Sequence, residues 1–158
     1  MRPFVLFSLF LALALTLPAA RVSAADPEIP HPDLPKGAGA IEADAPKTFA
    51  TTPSGLKYRV LRKGTGVNPK ASNKVKVNYH GWLDDGKVFD SSYKRGDPAE
   101  FPLGQVIPGW TEGMQLVGKG GMIELEIPSK LGYGKSGAPG VIPPDATLHF
   151  LVELLDVR

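Results

Sequence analysis

The sequence predicts an α+β domain in which a curled antiparallel sheet folds over one short α-helix. Three observations carry this. Lys74-Val75-Lys76-Val77-Asn78-Tyr79 alternates polar and apolar residues, and so does Met122–Ile127, the pattern of half-buried strands. Asp84-Asp85-Gly86-Lys87 is a hairpin signal, because Asp-Gly tolerates the positive φ of a tight turn. Only one segment has helical spacing: Trp110, Met114 and Val117 fall on one face at i, i+4 and i+7. One helix among several strands must bury its apolar stripe against the sheet.

In chain order, residues 1–24 read as a secretory signal. Arg2 gives the positive start, Phe4 to Leu17 the apolar run, and Val22-Ser23-Ala24 a small-residue cleavage pattern. Pro18 cuts the run short of the roughly 20 residues that a bilayer-spanning helix needs. Cleavage at Ala24 removes Arg2 and Arg21, so the mature chain carries 16 basic and 16 acidic residues. Zero net charge offers no long-range attraction to phosphate backbones, so no nucleic-acid binding is expected. No stable membrane association is expected after cleavage either.

Residues 25–50 hold prolines at 27, 30, 32, 35 and 46 and few apolar side chains. Such a composition buries too little surface to offset ordering entropy, and it reads as a flexible, extended tether with His31 solvated. The domain proper is expected over residues 51–158. With no cysteine, its stability must come from its core.

Leu56–Leu61 reads as the first long strand. Pro108 suits a first helical position and Gly118 a helix end. In Met122–Ile127, Ile123, Leu125 and Ile127 share one face, while Glu124 and Glu126 on the other read as a solvated surface. Thr147–Val157 closes the chain as a long apolar strand. His80 and His149 lack ligand-spaced partners, so no metal site is expected.

The stretch Val77–Ile142 concentrates aromatic and branched residues beside turn glycines and prolines, without cysteine, histidine cluster or serine elbow. It points to an apolar pocket with one or two polar handles rather than to covalent or metal chemistry. Several of its blocks resemble the FKBP-type peptidyl-prolyl cis–trans isomerases: Val77-Asn78-Tyr79-His80-Gly81, Gly86–Ser92, Gln105-Val106-Ile107-Pro108-Gly109-Trp110, Tyr133-Gly134 with Pro139–Leu148, and Phe150–Leu154. The likeness runs in unbroken order over about residues 50–158.

The resemblance implies a half-barrel sheet wrapped around the helix, with the pocket between them. Tyr79, Phe89, Phe101, Val106, Trp110 and Phe150 would bind substrate, with Trp110 as floor and Val141 and Ile142 in a flanking loop. Asp90, Tyr133 and the Ile107 backbone N–H would be the polar groups of catalysis. Two positions depart from the family pattern. Many members have a second aromatic where this chain has Ala99, and often a histidine where it has Ala138; both changes shrink the rim.

Residue by residue, the ordinary readings stand beside these. Trp110, Met114 and Val117 have the spacing of any helix core face, and Phe89, Phe101 and Phe150 are core residues by default. Tyr79 reads equally as a cross-strand packing partner. Asp90, ahead of Ser91-Ser92, reads equally as a turn cap or as a partner steering a pocket tyrosine. The resemblance implies no cofactor, proline-containing polypeptides as partners, and inhibition by macrolides of the tacrolimus and rapamycin type. A folding chaperone or peptide-binding module with incidental isomerase activity is the alternative. The expected location is exported, in a periplasm. A monomer is expected, because the long N-terminal helical segment of dimeric bacterial members is absent from the sequence.

Overall fold

The computed structural model describes residues 27–158, so the expected signal, residues 1–24, lies outside the described residues. The elements run β1 (Ala50–Thr51), β2 (Lys57–Arg62), β3 (Lys74–Leu83), β4 (Val88–Ser91), α1 (Ser92–Arg95), β5 (Ala99–Pro102), α2 (Pro108–Gly113), β6 (Met122–Ile127) and β7 (Leu148–Val157). All strand pairings are antiparallel, in the order β1-β2-β6-β7-β3-β4, with β5 also on β3. This is the expected curled sheet around a short helix. Among the described residues, no helix is long and apolar enough to cross a membrane.

The ten residues of β3 carry two strands on one edge. β5 pairs with Lys74–Val77 and β4 with His80–Trp82, which leaves a gap at Asn78-Tyr79. The one-turn helix α1 fills that gap. Its buried Ser92 accepts the Tyr79 N–H through Oγ at 2.8 Å. Nothing in the periodicity announced α1, because four residues are too few to show a repeat.

Helix α2 is also shorter than expected. It tightens into a 3₁₀ turn at Met114–Leu116, yet Trp110, Met114 and Val117 are all buried as the spacing predicts. Gly109 and Gly113 let α2 press on β6: a Cβ at these positions would lie 2.5 Å from Ile127 Cγ2 and 2.7 Å from Leu125 Cδ2. The main core lies in this concave layer, where Val77, Ile123, Leu125, Ile127, Val152 and Leu154 share one cluster with Trp110 and Met114. Register fixes the facing, since Tyr79 pairs with Val152 and Gly81 with Phe150.

The convex face departs from the sequence reading in two places. Glu124 is not solvated: its carboxylate meets Arg59 at 2.6 Å, and the two side chains are 7% and 1% exposed. Nor does the proline-rich segment behave as a flexible tether over residues 29–47. It arches across the sheet, and its ends meet where the Ile29 N–H reaches Lys47 O at 2.8 Å. Arg59 then donates to the carbonyls of Ile29, Pro30 and Lys47. Farther along, Arg62 donates to Ala40 O, and Ile41 and Ala45 pack on Leu61, Met122 and Leu151. His31 lies 3.2 Å from Pro46 O in an exposed contact. Apolar content alone misjudged the segment, because its anchors are polar and belong to the sheet.

Candidate active site

On the concave face, α2 and the sheet leave a cavity of about 720 Å³, a size typical of small-molecule and peptide pockets. β3 contributes Tyr79, β4 Phe89 and Asp90, β5 Phe101, and β7 Phe150. The turn before α2 contributes Val106 and Ile107, α2 contributes Trp110, and the 133–142 loop contributes Tyr133, Val141 and Ile142. All eleven positions singled out in the sequence therefore line one cavity. Gln105 and Ala138 line it too.

Trp110, 5% exposed, lies at the centre of the aromatic set. Tyr79, Phe101 and Phe150 stand edge-on to it, with ring centroids at 5.4, 5.7 and 5.2 Å. This is the arrangement that the ring quadrupole favours. Phe89 meets Phe150 edge-on at 5.4 Å. Gly81 makes that approach possible, because a Cβ there would lie 2.7 Å from the Phe89 ring and 2.8 Å from Phe150. The Trp110 Nε1–H is buried and has no acceptor among the described residues.

The polar side of the cavity is a three-residue unit. Tyr79 donates its phenolic hydrogen to Asp90, and Arg95 donates to both the Tyr79 oxygen, at 2.8 Å, and the Asp90 carboxylate. The Arg95 guanidinium also lies 5.5 Å from the Tyr79 ring centroid. Of the two readings of Asp90, turn cap and tyrosine partner, its side chain takes the second. The cap of α1 is Ser91, which accepts the Lys94 N–H.

Burial drives the Asp90 carboxyl upward, but hydrogen bonds from Tyr79 and Arg95 outweigh it and hold the group below its ordinary range. Burial and the Asp90 partner push the Tyr79 phenol up, so it remains a donor. Sequence reading missed Arg95. Its only trace was a basic residue five positions after Asp90.

Ile107 stands at the N-cap of α2 with no side-chain cap, and Pro108 follows at the first helical position. Its carbonyl accepts from Trp110 and Thr111, while its N–H has no partner among the described residues. That leaves one backbone donor at the pocket edge, as helix starts do. Tyr133 and Val141 form the outer rim, 44% and 48% exposed. The rim loop is closed by two reciprocal bonds of 2.8 Å between Ala138 and Ile142. Among the described residues, no group of three His, Cys, Asp or Glu side chains is placed to hold a metal.

Known proteins resemble this chain in sequence and in fold. A family model described as FKBP-type peptidyl-prolyl cis-trans isomerase matches residues 66–155. The Escherichia coli K12 protein named FKBP-type peptidyl-prolyl cis-trans isomerase FkpA is 56% identical over 112 residues, which cover 71% of this chain and 41% of that protein. The chain thus spans less than half the length of that relative. The crystal structure of FkpA from Escherichia coli matches with a TM-score of 0.68 at 55% identity, covering 70% of this chain and 51% of the other. A peptidyl-prolyl cis-trans isomerase from Pseudomonas syringae pv. tomato matches with a TM-score of 0.65 at 39% identity, covering 70% and 80%.

Proposed function

The chain belongs to the FKBP-type peptidyl-prolyl cis–trans isomerase family, and on that premise we propose that it accelerates Xaa-Pro isomerisation in unfolded or partly folded polypeptides. The observation that carries this reading is the aromatic cavity floored by Trp110 with the unpaired Ile107 N–H at its edge.

The chemistry needs little more. The barrier to peptide rotation is about 18–20 kcal/mol and comes from amide resonance. Before proline, cis and trans lie close in energy, so their slow exchange delays folding. At the transition state the C–N bond is twisted and the amide's charge separation is reduced. A dry aromatic pocket therefore disfavours the planar, dipolar ground state relative to the twisted one.

The proline ring rests on Trp110 between Tyr79, Phe89 and Phe150. The Ile107 N–H anchors a substrate carbonyl, and the Tyr133 hydroxyl is a second handle at the rim. Asp90, oriented by Tyr79 and Arg95, faces the carbonyl that rotates. No nucleophile and no proton transfer take part. About 8 kcal/mol of differential stabilisation corresponds to roughly a millionfold acceleration.

Proline-containing polypeptides are the substrates, and macrolides of the tacrolimus and rapamycin type are competitive ligands of the same apolar volume. The apolar run Phe4–Leu17 and the Val22-Ser23-Ala24 pattern support export, and a periplasm is the proposed compartment. Mass spectrometry of the native N-terminus in a cell fraction checks cleavage and location together.

Turnover of a cis-Pro tetrapeptide by the folded chain, with and without tacrolimus, tests the activity. Absence of a measurable rate from a folded sample overturns it. The exposed Tyr133 and Val141 at the rim favour a second reading, capture of apolar segments as a chaperone. If an Asp90→Ala variant loses isomerisation yet still suppresses aggregation, capture is the main role.

A further inference from the structure

Glu153 joins the convex face to the pocket. It lies on β7, its side chain 7% exposed, and its carboxylate has three donors from three parts of the chain. Oε1 accepts the Gly39 N–H at 3.1 Å and the Tyr93 hydroxyl at 2.5 Å, while Oε2 accepts from Arg62 at 2.6 Å. Gly39 belongs to the arch over the convex face, and Tyr93 to α1.

Helix α1 is a single turn, so residues two apart project about 200° apart around its axis. Tyr93 reaches outward to Glu153, and Arg95 reaches inward to Tyr79 and Asp90. Ser92 fastens the turn to β3 between them. The rotation of α1 about that fastening is therefore set by two opposed tethers, one on each face of the sheet. Burial and the neighbouring carboxylate push the Tyr93 phenol up, so it stays a donor. Burial alone would raise the Glu153 carboxyl, but bonds from Tyr93, Arg62 and Gly39 hold it low, so it stays a charged acceptor.

We infer that Tyr93 and Glu153 are positioning residues, and that the docked segment 29–47, through Gly39 and Arg62, governs how firmly Arg95 holds Asp90 and Tyr79 in the pocket. The consequence for catalysis rests on the isomerase reading above. The proline-rich segment is then a part of the enzyme that tunes its site from the opposite face. A partner or protease that lifts it would lower activity without touching the pocket.

Two substitutions in the full chain test this from outside the cavity. Gly39→Ala places a Cβ 2.5 Å from Arg62 Nη1 and 2.9 Å from Glu153 Oε2, so those side-chain ends must shift and their bonds to the arch are disturbed. Tyr93→Phe removes the hydroxyl and keeps the ring. The measurements are the pKa of the Asp90 carboxyl by ¹³C NMR titration and kcat/KM on a cis-Pro tetrapeptide.

Both variants are expected to raise the Asp90 pKa toward its ordinary value and to lower kcat/KM by about two- to tenfold, the scale of coupling through intervening residues. An Asp90 titration identical to wild type in both variants overturns the relay, even if activity falls. A wild-type chain without isomerase activity overturns the functional reading instead, and the Asp90 titration still decides the relay.

Discussion

The indole of Trp110 meets the ring of Phe150 edge-on, with centroids 5.2 Å apart and planes at 83°. Phe101 and Tyr79 repeat the relation from two other directions, so the floor of the pocket is also a keystone of the core. Trp110→Leu leaves space against all three rings. A loss of about 2–4 kcal/mol in unfolding free energy is expected from urea denaturation. In the fraction that remains folded, kcat/KM should fall about tenfold or more, since each aromatic pair is worth about 0.5–1.5 kcal/mol. A folded Trp110→Leu protein with wild-type turnover would show that the floor is core only.

Asp90 predicts a pH dependence with a definite sign. Its folded carboxyl lies below the ordinary value of 3.8, because the bonds from Tyr79 and Arg95 overcome burial. A depressed folded pKa contributes stability that is present above the unfolded pKa and lost as pH falls through the folded one. The ordered triad should therefore persist down to about pH 4 and come apart only below it. Asp90→Asn removes the charge and should flatten this acid limb of the activity profile. An unchanged limb in that variant would assign it to another group.

The concave half of the molecule was readable because two signals coincide there. Period-2 alternation placed Val77, Ile123, Leu125 and Ile127 facing inward, and the aromatic positions fell on the same face. The convex half was not. Alternation says that Glu124 points away from the core, but not what covers it. The cover comes from residues 29–47, distant in sequence and poor in apolar side chains. It is held by carbonyl groups that every residue carries and that no composition reveals. Arg95 was hidden for a related reason: only the single turn of α1 swings it back to Asp90.

The rim offers a test that separates binding from chemistry. Val141 is 48% exposed at the tip of the loop closed by Ala138 and Ile142, where its side chain can meet substrate without supporting the core. Val141→Ala removes two methyl groups' worth of contact, at about 0.8 kcal/mol per buried carbon. KM for a cis-Pro tetrapeptide should rise about four- to fifteenfold by that measure, for one or both carbons in contact, with kcat and the melting temperature little changed. A fall in kcat at constant KM would instead place Val141 against the rotating bond.

Arg59 is the clasp of the arch, and its pairing with Glu124 makes a prediction in two steps. Burial pushes the Glu124 carboxyl up, and Arg59 pulls it back only in part. A raised folded pKa means that this group favours the fold more at acid pH and less as pH rises through its folded value. Arg59→Ala leaves the carboxylate buried and unpaired, and it strips donors from the carbonyls of Ile29, Pro30 and Lys47. A cost of about 3–5 kcal/mol in urea denaturation is expected. Replacing both partners by apolar residues, Arg59→Met with Glu124→Leu, removes the charge penalty and should return stability to within about 1–2 kcal/mol of wild type. It cannot restore the donors. Hydrogen exchange at the Ile29 amide, which bonds to Lys47 O, should therefore stay fast in the double variant although the core is intact. Protection at Ile29 equal to wild type would mean that Ile41 and Ala45 hold the arch without Arg59.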